Sequence, residues 1–325
     1  MSRGAKSWRR VLGVAGPVER PARRRRLGVR LGRGAVPYAL LVPTAIVLGV
    51  VLAYPLYLMT TLSFQRYGLF ELIQEKGTWI GLDNFSHILH DDQFWEVLRR
   101  TLIFTFVNVS LTMILGTLVA LLLVQLGSFM RLLLTTALVF AWATPVVVAV
   151  TVWKWMVDFD FGVFNWTLTE LGVGDYFQHD WFANPLTGFA IITAVVVWGA
   201  IPFVAITLYA GLSQVPQELV EAASIDGAGA LRIFRDITLP LLKPIFVILT
   251  TLSIIWDFQV FNQVFLMRDL QPSADYFLIS IYAYQESFGL SEYGLGSAIA
   301  LTMVVTLFCV TFVLIRQMAR TGELQ

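Results

Sequence analysis

Six long apolar runs, set apart by polar stretches, organise this chain. They cover approximately Pro37–Leu62, Leu98–Gln125, Arg131–Met156, Leu186–Leu212, Lys243–Leu266 and Leu295–Ile315. Each reaches the roughly 20 mostly apolar residues that a helix needs to cross a bilayer. The pattern predicts an all-α, polytopic membrane protein with six transmembrane helices. Pro43, Pro55, Pro145 and Pro202 fall inside the runs, where a helix tolerates them if neighbours satisfy the freed carbonyls. Gly116 and Ala120 lie four apart, a spacing that lets two helices approach closely. No internal repeat accompanies the six runs.

Composition agrees and narrows the function classes. The 325 residues are 57% hydrophobic and 14% charged, a membrane composition. The single cysteine, Cys309, excludes an intrachain disulfide. No phosphate-cradling Gly-rich loop ends in Gly-Lys-Ser/Thr, and no metal-ligand cluster stands out. His87, His90 and His179 are read as solvated loop residues. Nothing predicts covalent catalysis by this chain, and a membrane enzyme would need an acid/base or nucleophile cluster.

Charge sets the orientation. Residues 1–33 hold 11 of the 23 Lys and Arg but one of the 22 acids. A basic arm can bind nucleic acid, but one that immediately precedes an apolar run reads better as an anchor to the anionic inner leaflet. With the N-terminus cytoplasmic, the inner segments carry 17 basic residues and the outer ones six, as the positive-inside rule asks. Arg99 and Arg100 go against the rule. The resulting organisation is a basic cytoplasmic tail (1–36), a first helix (37–62), an outer loop (63–97), a five-helix core (98–316) with a cytoplasmic loop at 213–242, and a cytoplasmic C-terminal tail (317–325). A second outer loop, acidic and aromatic, runs from Asp158 to Trp181 and reads as either a docking surface or a plain hydrophilic cap.

The loop at 213–242 is polar, yet compatible with helix. Pro216 can open a helix at its first position. Gly227 can take the positive φ that ends one, and Ala228–Asp236 can begin another. The product is a bent pair of short helices whose corner carries Ala222, Ala223, Gly227 and Ala228. Side chains that small admit another backbone, and Glu221 can fix its orientation.

Two faces inside the membrane can hold a solute. Val196, Gly199, Ala200 and Phe203 fall at i, i+3, i+4 and i+7 of the fourth helix, hence on one side, beside Pro202. Ile255, Phe258, Gln259 and Asn262 repeat that spacing in the fifth. Gln259 and Asn262 can both donate and accept, which suits a hydroxyl-rich ligand; an interhelical hydrogen bond would satisfy them equally. Asp257, a membrane-embedded acid, lies about 160° from Gln259 on a helical wheel. It is expected to face a buried structural partner, in this chain or on another subunit, rather than to act as a proton relay.

The string Glu221-Ala222-Ala223-Ser224-Ile225-Asp226-Gly227-Ala228, continued by Phe234, Ile237, Leu239 and Pro240, resembles the "EAA" loop of binding-protein-dependent ABC importer permeases. Gly81-Leu82-Asp83-Asn84-Phe85, followed by a possible surface helix at His90–Trp95, and the order Pro145, Trp153-Lys154-Trp155-Met156, Gly162, Asn165 are similar to the maltose-type sugar permeases. The resemblance covers residues 38–316. It implies the type I ABC importer permease fold in a bacterial or archaeal plasma membrane. Implied partners are a second, similar permease, two copies of an ATPase that binds the ATP and Mg²⁺, and an extracytoplasmic solute-binding protein. It assigns ATPase coupling to Glu221, Ala222, Ala223, Asp226, Gly227 and Ala228. It assigns carbohydrate contact to Gly199, Ala200, Phe203, Phe258, Gln259 and Asn262. The segment Met267-Arg268-Asp269-Leu270-Gln271-Pro272 departs from the family's Thr-x-Gly-Gly-Pro-like turn. The alternative is an ion-coupled secondary transporter, for which Asp257 is the only obvious embedded acid.

Overall fold

A computed structural model describes residues 36–320. The basic tail, apart from Val36, and residues 321–325 lie outside the described residues. The described residues fall into two compact units, 36–54 and 55–320. The first contains α1 (Val36–Leu48), which leads into a π-helical turn at Gly49–Ala53.

The second unit begins one residue into α2 (Tyr54–Ser63), at Pro55. A short antiparallel pairing follows, of β1 (Gln65–Arg66) with β2 (Thr78–Trp79) around α3 (Leu69–Gln74). Next comes α4 (Asp83–His90), so His87 and His90 are helical and not in a loop. The surface helix expected at His90–Trp95 is therefore displaced. Its place is taken by α4, with apolar Phe85, Ile88 and Leu89 among polar residues. The Asn84 amide fixes α4, donating to the Ser63 and Gln65 carbonyls, both at 2.9 Å.

The long α5 (Asp92–Gln125) starts six residues before the predicted span because the Asp91 carboxylate caps it, accepting from Gln93 N–H at 3.0 Å. Arg100 is thereby helical and donates to the carbonyls of Ala274 and Phe277 at 2.9 and 3.0 Å. Tyr282 donates to the same Asp91 at 2.6 Å. Burial, then that acceptor, pushes its phenol above the ordinary range.

The predicted third span is two helices, α6 (Ser128–Ala143) and α7 (Val146–Met156), bent by 100°. Pro145 is the cause: it has no N–H, and it pushes Thr144 into the extended region, at φ −67°, ψ 123°. After α8 (Val163–Glu170), α9 (Pro185–Leu212) runs unbroken through Pro202. The loop between spans holds α10 (Gln217–Ile225) and α11 (Ala230–Ile233). A π-helical turn at Phe234–Thr238 then joins α12 (Leu239–Phe258). The fifth span is helical over Ala230–Phe258, 29 residues. It starts earlier than predicted and stops at Phe258. The chain then forms α13 (Asn262–Met267), α14 (Ile279–Tyr284) and α15 (Tyr293–Arg320). Counting the bent pair as one, six segments among the described residues are long and apolar enough to span a membrane.

Helices α5 and α9 make the central contact. Ala120 packs with Val204, Leu208 and Leu249 at one end of the bundle. Phe94, Phe104, Ile192, Phe258 and Ile279 belong to the larger cluster toward the other. A Cβ on Gly116 would stand 2.6 Å from Val204 Cγ1. Gly116→Val should therefore overpack the α5–α9 seam and cost about 1–3 kcal/mol. A thermal midpoint of the purified variant equal to wild type would contradict the close approach.

Beyond α13, Asp269 and Leu270 adopt φ of 54° and 64°. Left-handed backbone costs a non-glycine residue about 1–2 kcal/mol. Lys154 pairs with Asp269, and the Leu270 N–H reaches the Phe265 carbonyl at 2.8 Å. The Arg268 guanidinium lies over the Tyr276 ring at 4.4 Å. These contacts hold a turn that here carries no glycine.

Candidate functional site

Two places bring the singled-out residues together. The first is the corner between α10 and α11. Pro216 caps α10 rather than opening it, with ψ 121°. The helix closes in a Schellman arrangement: Ala228 N–H reaches Ala223 O at 2.9 Å and Gly227 N–H reaches Ser224 O at 3.1 Å. That closure requires φ of +82° at Gly227, so glycine is needed here. Glu221, Ala222, Asp226 and Gly227 are exposed; Ala223 and Ala228 are half-buried in the motif. Two residues that the sequence reading passed over stand out beside them. Ile225 is 87% exposed and Leu231 81%. The signal was available: large aliphatic residues inside a polar gap.

The second place is a cavity of about 240 Å³ between the α6–α7 bend, α9 and the end of α12. Val196, Gly199, Ala200 and Phe203 all line it, so the α9 face is assembled as its spacing implies. A Cβ added to Gly199 would meet nothing within 4 Å; this glycine leaves the space open. Phe203 stacks on Trp142 at 6.5 Å and meets Trp256 edge-on at 5.2 Å. Pro202 offers no N–H, so the carbonyl of Trp198, another lining residue, lacks its helical donor.

The α12 residues need correction. Phe258 is 2% exposed and belongs to the large apolar cluster. Gln259 is exposed and donates to Ile255 O at 2.8 Å; Asn262 is exposed too. None of the three lines the cavity; Asp257, Val260 and Gln263 do. The wheel failed because α12 ends at Phe258. Gln259 has φ −107°, ψ 22° and Phe261 φ −128°, ψ −61°, so the register is not that of one helix. The freed Val260 carbonyl accepts from the Ser280 hydroxyl at 2.6 Å. Asp257 is 4% exposed, and its Oδ2 has no hydrogen-bond partner among the described residues. No partner for that oxygen comes from the described residues of this chain, which leaves the expected partner on another subunit untested. Trp142 and Trp256 were missed; tryptophan inside an apolar run, away from the interfacial belt, was the available signal.

A larger groove of about 1010 Å³ runs between α5 and α9. Its charged groups, Glu96, Arg99, Arg100 and Asp275, sit at one end. Ile103, Val107, Leu111 and Leu115 then form an apolar stripe. That stripe offers few hydrogen-bond partners, unlike the wall of the smaller cavity.

Residues 112–320 match the family described as "Binding-protein-dependent transport system inner membrane component". The chain is 41% identical over 287 residues to the diacetylchitobiose uptake system permease protein DasB of Streptomyces coelicolor, covering 88% of each chain. It is 34% identical over 279 residues to the trehalose/maltose transport system permease protein MalF of Thermococcus litoralis, covering 86% of this chain and 92% of that one. Its fold is shared, with a TM-score of 0.74 and 22% identity, with a bacterial ABC transporter involved in the import of the acidic polysaccharide alginate; the match covers 89% of this chain and 96% of that one. The chain therefore belongs to the binding-protein-dependent transport system inner membrane components, as a non-catalytic permease subunit of an ABC importer with the type I fold.

Proposed function

We propose that this chain forms half of a saccharide path through the plasma membrane. It pairs with a second permease, is driven by two ATPase subunits that bind ATP and Mg²⁺, and is loaded by an extracytoplasmic binding protein. The observation that carries the reading is continuity: one 29-residue helix joins the α10–α11 corner to the cavity. From Leu231 to Asp257 it spans about 39 Å at 1.5 Å per residue. A push on the corner therefore moves the cavity wall bearing Trp256 and Asp257.

The cavity supplies what a sugar ring uses. Trp142, Phe203 and Trp256 offer aromatic faces to its C–H surface, while Thr144, Gln263, Asp257 and the Trp198 carbonyl offer polar partners to its edges. Its volume lies below the about 300–1,000 Å³ of most small-molecule pockets, which suits one ring at a time. Saccharide chemistry agrees with the names of both relatives. The corner faces the cytoplasm in this reading, with both termini inside.

Gln263, not Asn262, is the amide that should matter. Gln263→Leu is expected to lower uptake of a labelled disaccharide at least fivefold, a loss of about 1 kcal/mol or more from one missing hydrogen bond. Asn262→Leu should leave uptake near wild type. Vanadate, which traps ABC ATPases, should stop wild-type uptake. Uptake that survives vanadate and collapses with a protonophore would favour ion coupling instead.

A further inference from the structure

We infer that the contact between α5 and α12 is a hydrated seam, in which Thr105, Asn108, Thr112 and Asp257 bind a short file of ordered waters. Thr101, Thr105, Asn108 and Thr112 share one face of α5, and each is 5% exposed or less. Thr101 is fully engaged: its hydroxyl donates to the Val97 carbonyl at 2.8 Å and accepts from the Ile279 N–H at 2.9 Å. The next three are not. Asn108 Nδ2 donates to the Phe104 carbonyl at 2.7 Å. Its Oδ1, the hydroxyls of Thr105 and Thr112, and Asp257 Oδ2 have no hydrogen-bond partner among the described residues. Thr117, Thr144, Thr151 and Thr251 each donate to the carbonyl four residues back. Thr105 and Thr112 make no such bond, so their hydroxyls are aimed elsewhere.

The four atoms belong to one place. Helices α5 and α12 pack directly. Ala120 and Leu249 share the apolar cluster at one end of that contact, Phe104 and Phe258 the cluster at the other. Between these ends lie Thr105, Asn108 and Thr112 on α5, and Ser253 and Asp257, one turn apart, on α12. Thr105 and Thr112 are about 10 Å apart along the helix axis, the reach of about three to four waters at hydrogen-bond spacing. A buried water needs about two to four polar partners, which these side chains supply. Water donates and accepts, so it serves the Asp257 carboxyl in either protonation state. Asp257 also lines the smaller cavity, whereas Thr105, Asn108 and Thr112 line neither cavity; the file therefore opens on the solute space at one end. Bare polar atoms are costly inside a membrane, and water-mediated bonds are nearly as good as direct ones. They also change partners without two side chains having to part. In the reading of α12 as the moving wall, on which this last step rests, the waters let α12 slide along α5.

The test is water-edited solid-state NMR on the full transport complex in lipid bilayers, with asparagine labelled. Loss of its signal in Asn108→Leu assigns the Asn108 side-chain amide. Asn184, exposed at the start of α9, is the wet reference. Wild-type Asn108 should receive magnetisation from water at a rate within about threefold of Asn184. Thr105→Val with Thr112→Val keeps side-chain shape and removes two hydroxyls. It should slow transfer to Asn108 by a further factor of about three or more and leave Asn184 unchanged. Slower transfer than that in wild type, or transfer to Asn108 unchanged in the double variant, would overturn the hydrated seam. A dry seam has a second mark: valine would relieve two unpaired hydroxyls and raise the thermal midpoint, whereas loss of bound water leaves it equal or lower. Disaccharide uptake by the double variant should fall about threefold or more, with the ATPase retained. Normal uptake after loss of the water would overturn the sliding role and leave the water site standing. The Gln263→Leu result bears on the cavity alone, so a failed saccharide reading and a dry seam are told apart.

Discussion

Replacing Ile225 and Leu231 together by Asp should detach this permease from its ATPase without unfolding it. The two side chains are 87% and 81% exposed, so neither contributes much to the chain's own stability. Covering a side chain of this size is worth about 1.5–3 kcal/mol. Both together correspond to about 3–6 kcal/mol, a loss of about 10²- to 10⁴-fold in affinity. The experiment is co-purification of the ATPase with a tagged permease, with the thermal midpoint recorded alongside. Wild-type retention of the ATPase by the double variant would show that the small-residue corner docks without these flanks. A retained midpoint with lost ATPase is the expected outcome. Gly227 separates the same roles in another way: its φ of +82° belongs to the shape of the corner, whereas Ile225 and Leu231 would supply its grip if the corner docks as proposed.

How much of this could be read beforehand follows from where each signal is written. The six spans were legible because crossing a bilayer demands length and apolarity, and both lie in the local sequence. The α10–α11 corner was legible because Gly227 and the alanines around it are a local device. A close approach to α5 was legible in Gly116 and Ala120, but its partner α9 came only with the fold. Caps and breaks were harder. The extra turn and a half of α5 depends on the Asp91 carboxylate, a small signal beside two charged residues, Arg99 and Arg100, that look like a boundary. Pro145 announced a disturbance, yet not a bend of 100°, since neighbouring helices decide whether a proline kinks a helix or ends it.

The least legible feature was the break after Phe258. Neither proline nor glycine marks it. Its freed carbonyl is satisfied by Ser280, 20 residues further on, a partner that only the fold supplies. Once the helix stops, a periodicity argument carried past it assigns the wrong residues. Asn262 and Gln259 turn outward, and Gln263 and Asp257 turn to the cavity. The α9 face escaped this error because α9 continues through Pro202 without a break, so its period of 3.6 held from Val196 to Phe203.

Phe258 and Phe203 turn that difference into an expected result. Both are aromatic, and both were first read as solute contacts. Phe258 is 2% exposed among Ile192, Val195, Val264 and Ile299 of the large cluster. Phe203 is half-buried and stands at the cavity between Trp142 and Trp256. Truncating a buried Phe to Ala loses its transfer free energy and leaves a void, about 3–5 kcal/mol together. Phe258→Ala should therefore lower the thermal midpoint sharply and reduce the amount of folded protein recovered from the membrane. The molecules that do fold should bind saccharide as wild type does. Phe203→Ala should do the reverse, because a half-buried ring beside an existing cavity leaves a smaller new void. Its midpoint should move little while saccharide binding falls. Thermal unfolding and binding measured on the same two purified variants decide the matter. If Phe258→Ala were to keep its midpoint and lose binding, the break after α12 would not separate the packed residue from the cavity wall, and the solute would reach further along this helix than the cavity extends.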